Sequence, residues 1–468
     1  MAKATARSLE MRQVQKPDVY KKKVLVVGLG VSGLWSSRWL AGQGADVTVS
    51  EIKAEADLDP DLLKGLRELG VVLETGGHRR ETFFNAEMII VSPGVPHDME
   101  VLRAAVESGV SVMGELELAS RLIDTPMIAV TGTNGKSTVT ALLGLMLENA
   151  GVEVFVGGNI GRPLMEYAGG ERNADYAVVE VSSFQLDTVD TFCPSVSMVL
   201  NISPDHLDRY PHYEAYVQSK QKIFKNQGSG QYVILNDDDP VLSSIRICPG
   251  VSVLRYGLKK KGGRHAFIEN RNISACLPGM EPSYFSFKSM SLHGEHNLEN
   301  LLAVVLAGVT LGVSSTVIQE TIEGFRGLPN RLERVGDLNG VVFYNDSKAT
   351  NVDAAARAVK SFDQPLILIA GGRHKGADYA PLAGVARGRV KKAVLLGEAR
   401  NLLAESFEGV VPFLFAKNME EAVSRAYSTA EVGDVVLLAP ACSSFDMFSN
   451  YSHRGAVFKA AVERLPGG

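Results

Sequence analysis

Residues 127–147 read MIAVTGTNGKSTVTALLGLML, which is an apolar run, a glycine-containing loop and a second apolar run. The first run, Met127–Val130, predicts a buried strand, and the second, Thr138–Leu147, has the pattern of a helix. Between them, Gly132 and Gly135 would let backbone N–H groups point at bound phosphates. The N-terminus of the helix adds partial positive charge at the same place. The stretch therefore predicts a binding loop for a nucleoside triphosphate.

Two side chains at the start of this helix are suited to the chemistry. Lys136 can reach the β- and γ-phosphates, and the hydroxyl of Ser137 can ligate Mg²⁺. The general phosphate-loop pattern has a further glycine where this chain has Val130, so TGTNGKST is a shortened form. A glycine turn with an exposed lysine is the alternative, but the flanking strand and helix favour ATP. The predicted ATP-binding residues of the loop are Gly132, Thr133, Asn134, Gly135, Lys136, Ser137 and Thr138.

Length and composition limit the class of the protein. With 468 residues the chain is about three times as long as a typical domain, so two or three domains are expected. The net charge of −5 does not indicate a nucleic-acid partner, and no apolar run reaches the roughly 18 residues that span a bilayer. The four cysteines show no CxxC spacing and indicate reduced thiols in a cytoplasmic protein. The basic segment 1–21 lacks the apolar middle of a signal peptide, and we predict a flexible tail there.

A second glycine loop lies near the N-terminus. The buried-strand run Lys23–Val27 leads into GLGVSG at residues 28–33, a helical stretch and a second strand that ends at Glu51. This is the dinucleotide fingerprint, with an acid about 20 residues beyond the glycines. It predicts a phosphate at a helix N-terminus without identifying NAD, and glycines used only for packing are the alternative. Met88–Gly94 is a further strand ending in a Pro-Gly turn, so a parallel sheet with helices on its faces is expected.

Two polar positions follow the phosphate loop along the chain. GGNIGRPL (157–164) is a loop that places Asn159 between glycines. In DYAVVEVSSFQL (175–186), an apolar strand carries Glu180 and is followed by Ser182. A carboxylate at the end of a strand near a phosphate loop is suited to bind Mg²⁺ or to hold a water molecule. On spacing alone, an acid that faces solvent remains the alternative.

A charged cluster comes next. The strand VSMVLNIS (196–203) is followed by Asp205, His206 and Asp208. These side chains predict either a metal site or a helix cap, and the pattern does not separate the two. Lys220 lies on the following helix in a sequence typical of a solvated face, so its neighbours indicate no function for it.

A long apolar helix ends the central part of the chain. Residues 294–312 have the pattern of an amphipathic helix. His296 and Asn297 at its N-terminus either cap the helix or face the nucleotide. The preceding residues 251–290 are rich in Gly, Lys and Arg and indicate short strands without a function.

The C-terminal third repeats one plan of buried strand, polar loop and helix. Gly327–Val335 has the character of a domain junction, because Pro329 interrupts the preceding helix pattern. Three loops then follow buried strands, in NDSKATN (345–351), GGRHKGADY (371–379) and PACSSFDMFSNY (440–451). Loops that follow parallel strands converge at one edge of a sheet, and several cations there favour an anion-binding site. Their polar residues are Asp346, Ser347, Lys348, Thr350, Lys375, Ser443, Ser444 and Tyr451.

Taken together, these stretches resemble the Mur ligases of bacterial cell-wall synthesis over nearly the whole chain. TGTNGKST is shared with folylpolyglutamate synthetase, whereas GGNIG, the strand with Glu180, DHLDRYP and GEHN narrow the resemblance to Mur ligases. NDSKATN, GGxxKGADY and PACSSFDMF resemble the members that add D-glutamate. The resemblance implies an α/β protein of three domains. These are a Rossmann-like UDP-substrate domain over 22–114, a central P-loop ATPase domain with a mostly parallel sheet over 115–327, and a Rossmann-like D-glutamate domain over 328–468.

The same resemblance implies a reaction. The carboxylate of UDP-N-acetylmuramoyl-L-alanine attacks ATP to give an acyl phosphate, and the amine of D-glutamate then displaces phosphate to form the amide. Two anions must be brought together, so charge must be neutralised by two Mg²⁺ ions and by lysines. The resemblance further implies a cytoplasmic enzyme with small-molecule substrates, and we expect a monomer that binds neither nucleic acid nor membrane.

Matched residue by residue, the resemblance implies a role for each candidate. The implied catalytic residues are Lys136, Glu180, His206, Lys220 and Lys348, and the implied Mg²⁺ ligands are Ser137, Glu180, His206 and Lys220. Lys220 falls where the family has a carbamylated lysine, which would turn a cation into a carboxylate-like ligand. The residues that match positions around the nucleotide are Asn297, Arg331 and Asp346. The UDP-linked substrate would contact Ser32, Glu51, Gly94, Asn159 and Ser182, and D-glutamate would contact Lys348, Thr350, Lys375, Ser444, Phe445 and Tyr451.

Several positions depart from the family pattern. Phe445 and Tyr451 stand where a leucine and a phenylalanine are usual, Glu51 replaces an aspartate, and Arg373 and His374 replace small or acidic residues.

Other classes of protein explain less of the chain. A folylpolyglutamate synthetase lacks a Rossmann-like first domain, and an NAD-dependent dehydrogenase would leave TGTNGKST without a role. A non-catalytic nucleotide-binding or scaffold protein would be missing Lys136, Glu180 or Lys348, and all three are present. A related ligase that adds a different amino acid is the second candidate.

Overall fold

The computed structural model describes residues 15–96, 98–207, 209–288 and 294–466. These residues form three α/β units, each built on its own sheet, and the sheets span 23–114, 127–286 and 333–438. The predicted three-domain α/β architecture with mostly parallel sheets is confirmed, while the domain boundaries at 114/115 and 327/328 stay predictions. Asp208 and residues 1–14 of the predicted tail lie outside the described residues.

The N-terminal unit alternates strands and helices, as its apolar runs predict. Its elements are β1 Lys23–Val27, α1 Val31–Gly42, β2 Asp46–Glu51, α2 Pro60–Glu68, β3 Val72–Thr75, α3 Arg80–Asn85, β4 Met88–Val91, α4 Glu100–Glu107 and β5 Ser111–Gly114. The five strands are parallel in the order β3-β2-β1-β4-β5. Because β1 is central, the loops after β1, β2 and β4 open at one edge of the sheet.

The central unit carries a nine-stranded sheet. Its elements are α5 Glu115–Ser120, β6 Met127–Thr131, α6 Lys136–Asn149, β7 Val154–Gly158, α7 Leu164–Gly169, β8 Tyr176–Glu180, α8 Ser183–Leu186, β9 Val196–Val199, α9 Tyr213–Gln221, β10 Tyr232–Asn236, α10 Pro240–Ser244, β11 Ser252–Lys259, β12 Ala266–Glu269, β13 Asn272–Ala275, β14 Ser283–Ser286, α11 Glu295–Thr310 and α12 Ser315–Gly324. The order is β14-β13-β12-β11-β10-β9-β6-β8-β7, and only the two pairings among β12, β13 and β14 are antiparallel. Strand β6 lies between β8 and β9, so the phosphate loop after β6 has the ends of both neighbours beside it.

Helix α11 differs from its prediction as an amphipathic helix. From Asn300 to Ala307 every side chain is buried, because α11 packs against α6 and α12 as well as against β10–β13. A helix enclosed on several sides needs apolar residues all round. Within the described part of the chain, neither this helix nor any other is long and apolar enough to cross a membrane.

The C-terminal unit is built on a six-stranded sheet. Its elements are β15 Glu333–Leu338, β16 Val341–Asn345, α13 Val352–Lys360, β17 Leu366–Gly371, α14 Ala380–Ala386, β18 Val390–Leu396, α15 Arg400–Phe407, β19 Phe413–Phe415, α16 Met419–Thr429, β20 Val435–Leu438 and α17 Tyr451–Glu463. The order is β15-β16-β20-β17-β18-β19, and only β15 runs antiparallel to its neighbour. The loops after the adjacent strands β16, β20 and β17 therefore meet at one edge, as predicted.

The units meet in two different ways. Helix α1 of the N-terminal unit packs on α7 of the central unit, α5 contacts both helices, and one apolar cluster runs through the two units. The two apolar clusters of the C-terminal unit consist of its own residues. Its contacts with the central unit near the phosphate loop are hydrogen bonds and ion pairs.

Candidate active site

The phosphate loop has a backbone that favours glycine at two positions. Gly132 and Gly135 have φ values of 155° and 86°, and α6 starts directly after Gly135. A Cβ on Gly132 would lie 3.2 Å from the Asn134 carbonyl oxygen, and one on Gly135 would lie 2.2 Å from Asn300 Oδ1. The loop therefore folds tightly in front of the α6 N-terminus, where backbone N–H groups and the helix dipole favour phosphate.

Two lysines meet at one carbonyl oxygen of this loop. Lys136 Nζ donates to the carbonyl oxygens of Gly132 and Thr133, both at 2.8 Å, and Lys220 Nζ donates to that of Gly132 at 2.9 Å. Burial lowers the pKa of Lys136 to about 8, and the Glu180 carboxylate opposes the shift. Burial, reinforced by the charge of Lys136, lowers the pKa of Lys220 well below its usual value. Two amines this close and away from water favour an anionic ligand between them.

The position of Lys220 contradicts the interpretation of a solvated face. The residue is 1% exposed because α9 packs against α8, where Ser219 Oγ donates to the Ser183 carbonyl oxygen at 2.8 Å. The Lys220 ammonium lies 4.6 Å from the centroid of the Tyr216 ring. Its neighbours in sequence are polar, but the groups that bury it come from distant parts of the chain, so the local pattern was misleading.

Glu180 ends β8 and is buried, which removes the alternative of an acid that faces solvent. Its Oε1 accepts a hydrogen bond from Asn159 Nδ2 at 2.8 Å. Its Oε2 is buried and has no hydrogen-bond partner among the described residues. A buried carboxylate oxygen is costly unless a donor or a cation meets it. Together with the Ser137 hydroxyl on the phosphate loop, this oxygen fits a hard cation such as Mg²⁺.

His206 follows β9 in a tight turn and has a φ of 55°. Burial lowers the pKa of its imidazole to about 4, so the ring is neutral at pH 7 and able to ligate a metal. The ring centroid lies 4.8 Å from that of Phe184 in an edge arrangement. Helix α9 is capped by His212, so the cap alternative for the cluster after β9 is not what the structure shows. Among the residues that the structure describes, no group of three or more His, Cys, Asp or Glu side chains converges on a metal position.

Cations of the C-terminal loops face the phosphate loop. Arg331 Nη2 donates to Ser137 Oγ at 2.6 Å. Lys375 Nζ lies 3.3 Å from Asp205 Oδ1, and Lys348 Nζ lies 3.8 Å from the centroid of the Tyr451 ring. Burial lowers the pKa of Lys348 to about 8, with Arg331 as the next cause.

A cleft of about 480 Å³ lies among these groups, between the central and C-terminal units. Ser182, which also caps α8 through Gln185, lines the cleft, and Phe445 lies at its rim with 62% of its surface exposed. The predicted residues that the cleft brings together are Thr133, Asn134, Gly135, Lys136, Ser137, Asn159, Glu180, Ser182, His206, Lys220, Arg331, Lys348, Thr350, Lys375, Ser444, Phe445 and Tyr451.

A smaller cavity adjoins the cleft on the side of α11. Its lining includes the predicted nucleotide residues Thr138, Asn297 and Asp346, and it shares Asn134 and Arg331 with the cleft. Helix α11 has Gly294 as its N-cap, and the candidate residues His296 and Asn297 both line this cavity. Burial raises the pKa of Asp346 to about 7, and the Arg331 charge opposes the shift.

A third cavity, of about 810 Å³, lies at the edge of the N-terminal sheet where the glycine loop and the predicted residues Ser32, Glu51 and Gly94 meet. The Glu51 carboxylate accepts hydrogen bonds from the Leu29 N–H at 2.6 Å and the Lys53 N–H at 3.0 Å, so it organises the glycine loop. Asn159 lines both this cavity and the cleft. Asn159 therefore lies between the cavity at the glycine loop and the cleft at the phosphate loop.

Comparisons with known proteins show relatives of this chain over nearly its whole length. The Mur ligase MurD-like N-terminal domain matches residues 22–114, the Mur ligase middle domain matches 130–308, and the Mur ligase glutamate ligase domain matches 330–442. The chain is 45% identical over 453 residues to the UDP-N-acetylmuramoylalanine–D-glutamate ligase of Desulfosudis oleivorans. This match covers 96% of this chain and 98% of the relative. It is 41% identical over 451 residues to the ligase of the same name from Geotalea uraniireducens, with 96% and 99% covered. The chain belongs to the Mur ligase family.

A solved Mur ligase has the same fold. The UDP-N-acetylmuramate–alanine ligase MurC from Thermotoga maritima superposes with a TM-score of 0.59 at 19% identity, and the match covers 94% of this chain and 99% of that one. The resemblance expected from the motifs is confirmed. Since Mur ligase domain models match the segments that contain both glycine loops, the folylpolyglutamate synthetase and dehydrogenase alternatives are not favoured.

Two polar residues at the junction between the central and C-terminal units, Asn351 and Asp353, were not predicted from the sequence. Asn351 Nδ2 donates to Asp205 Oδ2 at 2.9 Å, and Asn134 Nδ2 donates to Asp353 Oδ2 at 2.8 Å across the two units. The position of Asn351 in NDSKATN was a usable signal. Asp353 offered none, because its partner lies 219 positions away along the chain.

Proposed function

We propose that this Mur ligase joins D-glutamate to UDP-N-acetylmuramoyl-L-alanine through an acyl phosphate, with ATP as the phosphoryl donor. The observation that carries the proposal is one cleft in which the phosphate loop faces Lys348 and Lys375 of the C-terminal loops. Mur ligases are ATP-dependent enzymes with small-molecule substrates, and the relatives reported above bear the name of this activity. We further propose a cytoplasmic monomer, because one chain supplies every candidate residue.

The first step joins two anions. An oxygen of the substrate carboxylate attacks the γ-phosphorus of ATP, the bond to the bridging oxygen breaks, and ADP leaves the acyl phosphate. Lys136 at the start of α6 and Arg331 beside Ser137 supply fixed positive charge where negative charge builds up. In a site removed from water, one such donor contributes about 3 kcal/mol to the stability of a transition state.

The second step forms the amide. The amine of D-glutamate loses a proton and attacks the acyl carbon, and phosphate leaves with the electron pair of the broken C–O bond. Water would compete for the acyl phosphate. The C-terminal unit covers the cleft through Arg331, Lys348 and Lys375, so it limits the access of water to the reacting carbon.

The residues present fit the implied magnesium ions. The buried Oε2 of Glu180 has no hydrogen-bond partner in the described part of the chain, and Ser137, His206 and Lys220 line the same cleft. These four residues would hold the ions, which when bound neutralise phosphate charge. Asn159 fixes the carboxylate of Glu180 through its hydrogen bond to Oε1.

We propose that Lys220 is carbamylated. Burial lowers its pKa well below the usual value, which favours the neutral amine that adds to CO2. Addition forms an N–C bond and releases one proton, and the product is an anion. Beside Lys136, that anion replaces repulsion between two cations by attraction.

The amino-acid pocket would hold the two carboxylates of D-glutamate. Lys348 and Lys375 supply one cation each, while Thr350 and Ser444 add hydroxyl groups to the lining of the cleft. Phe445 and Tyr451 form apolar walls of the pocket. An amino acid with two carboxylates suits a pocket with two cations, whereas the side chain of lysine would bring a third cation into that pocket.

The opposite end of the cleft would hold the nucleotide of the UDP-substrate. Ser32, Glu51 and Gly94 surround the cavity at the N-terminal glycine loop. Asn159 joins that cavity to the cleft, so the peptide carboxylate would pass it on the way to the phosphate loop.

A substrate panel tests the proposal. The purified protein is given ATP, Mg²⁺ and UDP-N-acetylmuramoyl-L-alanine with D-glutamate, L-glutamate, L-alanine, L-lysine or meso-diaminopimelate in turn, and phosphate release and product mass are measured. We expect amide formation with D-glutamate and phosphate release only when both substrates are present. Preference for another amino acid, or ATP hydrolysis that needs neither substrate, would contradict it.

A further inference from the structure

A set of polar contacts connects the phosphate loop with helix α13 of the C-terminal unit. Asp353 Oδ2 accepts hydrogen bonds from Asn134 Nδ2 at 2.8 Å and from Ser203 Oγ at 3.1 Å, both in the central unit. It accepts a third from Arg357 Nε of its own helix at 3.0 Å. Arg357 Nη1 donates in turn to Glu299 Oε2 of α11 at 2.9 Å. We name these five residues, Asn134, Ser203, Glu299, Asp353 and Arg357, the interdomain latch.

The latch touches three of the elements that carry proposed reaction sites, which are the phosphate loop, α11 and α13. Helix α13 directly follows the NDSKATN loop with Lys348 and Thr350. Asn134 belongs to the phosphate loop, and Glu299 lies in the same helix as the proposed nucleotide residue Asn297. A shift of α13 would therefore move the amino-acid loop relative to the phosphate loop.

The contacts are shielded enough to matter energetically. The side chains of Asp353 and Arg357 are 30% and 29% exposed, and that of Glu299 is 15% exposed. An ion pair that is largely removed from water is costly to break on one side, because the remaining charge stays poorly solvated. Exposed pairs contribute much less.

The chain also provides a matched reference pair. Arg425 donates to Glu421 one turn earlier on α16, with the same four-residue spacing as Asp353 and Arg357 and side-chain exposures of 44% and 29%. Both members of this pair belong to one helix of the C-terminal unit. Loss of this pair therefore removes a similar helix contact without touching the junction.

We propose that Asp353 and Arg357 are positioning residues that hold the phosphate loop and the amino-acid loop at the separation that the two chemical steps need. This inference rests on the function proposed above and deepens it. Without Asp353 and Arg357, the amino-acid loop keeps its own contacts with its ligand, but the ligands must also bring the two units together, which weakens their binding. Arg357 also lines the smaller cavity beside α11, so the KM for D-glutamate is the readout that separates the latch from a direct contact with the nucleotide. At saturation the units still meet, so the rate of the chemical steps is retained.

Steady-state kinetics of Arg357→Gln, Glu299→Gln and the double variant test the proposal, with Arg425→Gln as the matched control. We expect the KM values for ATP and for D-glutamate to rise together by about tenfold, as for loss of a partly shielded ion pair, while kcat stays within about threefold. The KM values of the double variant should be no higher than those of Arg357→Gln, because both substitutions remove the same contact between Arg357 and Glu299. Arg425→Gln should match the wild type.

The outcomes separate the latch from a merely structural role and from the proposed reaction. KM values unchanged in Arg357→Gln, an equal rise in Arg425→Gln, or a loss of kcat at constant KM would each overturn the latch. If Arg357→Gln does not fold in a thermal unfolding scan, Arg357→Lys serves instead, with a smaller rise in both KM values expected and no rise contradicting the proposal. A wild-type enzyme that is inactive with D-glutamate refutes the proposed function. A wild-type enzyme that is active, together with latch variants whose KM values are unchanged, refutes only this inference.

Discussion

The N-terminal unit joins the central unit through apolar packing, whereas the C-terminal unit joins it through hydrogen bonds and ion pairs. At the first junction, α1, α5 and α7 share one continuous apolar cluster. At the second, the contacts include those of Ser137 with Arg331, Asp205 with Lys375 and Asn134 with Asp353. When an apolar junction opens, all of its buried apolar surface is exposed to water, which is unfavourable. When a polar junction opens, its hydrogen bonds are replaced by hydrogen bonds to water at small net cost. The difference indicates an N-terminal unit that is fixed to the central unit and a C-terminal unit that can separate from it. We propose that the fixed unit binds the UDP-substrate and that the C-terminal unit completes the site.

The largest effect is expected at the centre of the polar junction, for Lys136→Ala. The substitution removes the ammonium at the α6 N-terminus, so turnover should fall about a hundred- to a thousandfold as transition-state charge loses a fixed partner. Initial rates of phosphate release measure it, and thermal unfolding should show a folded protein. A variant with near-normal turnover would remove the phosphate loop from the mechanism.

Lys220→Ala should come next, with turnover reduced by at least about a hundredfold, because a group of the reaction centre is lost. If the lysine works as a carbamate, added acetate or propionate should restore part of the activity by taking the vacated anionic position. The exposed Lys225→Ala is the control and should behave as wild type. Absence of rescue at high carboxylate concentration would count against carbamylation.

Leu118→Ala probes the apolar junction instead. Leu118 is fully buried in α5, so the free energy of unfolding should fall by about 3 kcal/mol through lost burial and the cavity left behind. Urea unfolding measures the change, and Leu402→Ala, at a residue 41% exposed, should cost less than about 0.5 kcal/mol. We expect unchanged KM values in native conditions. If Leu118→Ala raised the KM values without lowering the free energy of unfolding, the apolar junction would position the ligands rather than hold the units together, contrary to the comparison above.

Lys348→Met should raise the KM for D-glutamate by about tenfold, since one cation of the amino-acid pocket is lost while the aliphatic stem still fills the space beside Tyr451. The KM for the UDP-substrate should change less. Lys417→Met, at an exposed residue of the same unit, is the control. An unaltered KM and kcat for D-glutamate would place the amino acid elsewhere.

The smallest effect is a dependence on pH. Burial lowers the pKa of Lys348 to about 8, so its charge is present below pH 8 and is lost as the pH rises through that value. The KM for D-glutamate should therefore increase a few-fold between about pH 7.5 and pH 9. Lys348→Arg keeps its charge at these pH values and should show a weaker rise. Identical profiles for the two proteins would exclude Lys348 as the titrating group.

Predictions from the sequence were right where a feature depends on neighbouring residues. They were wrong where a residue is buried by segments that are distant in the sequence. Strand, glycine loop and helix around Lys136 were recognisable because the spacing of apolar residues and glycines decides them. Lys220 and α11 were misjudged, since polar neighbours suggested solvent for the lysine and a helix with one polar face for α11. In both cases packing partners from other segments overrode the local pattern. Which ligand each cleft residue contacts stays a prediction.

By itself, the sequence determined the alternation of strands and helices, the two glycine loops and the polar loops that follow the C-terminal strands, because each depends on residues close together along the chain. Only the tertiary structure decided that Lys220 is buried beside Lys136, that one buried oxygen of Glu180 has no hydrogen-bond partner among the described residues, and that Asp353 reaches Asn134. The contacts of Lys220 with Gly132 and of Asp353 with Asn134 join residues 88 and 219 positions apart, and short-range periodicity carries no information about such pairs.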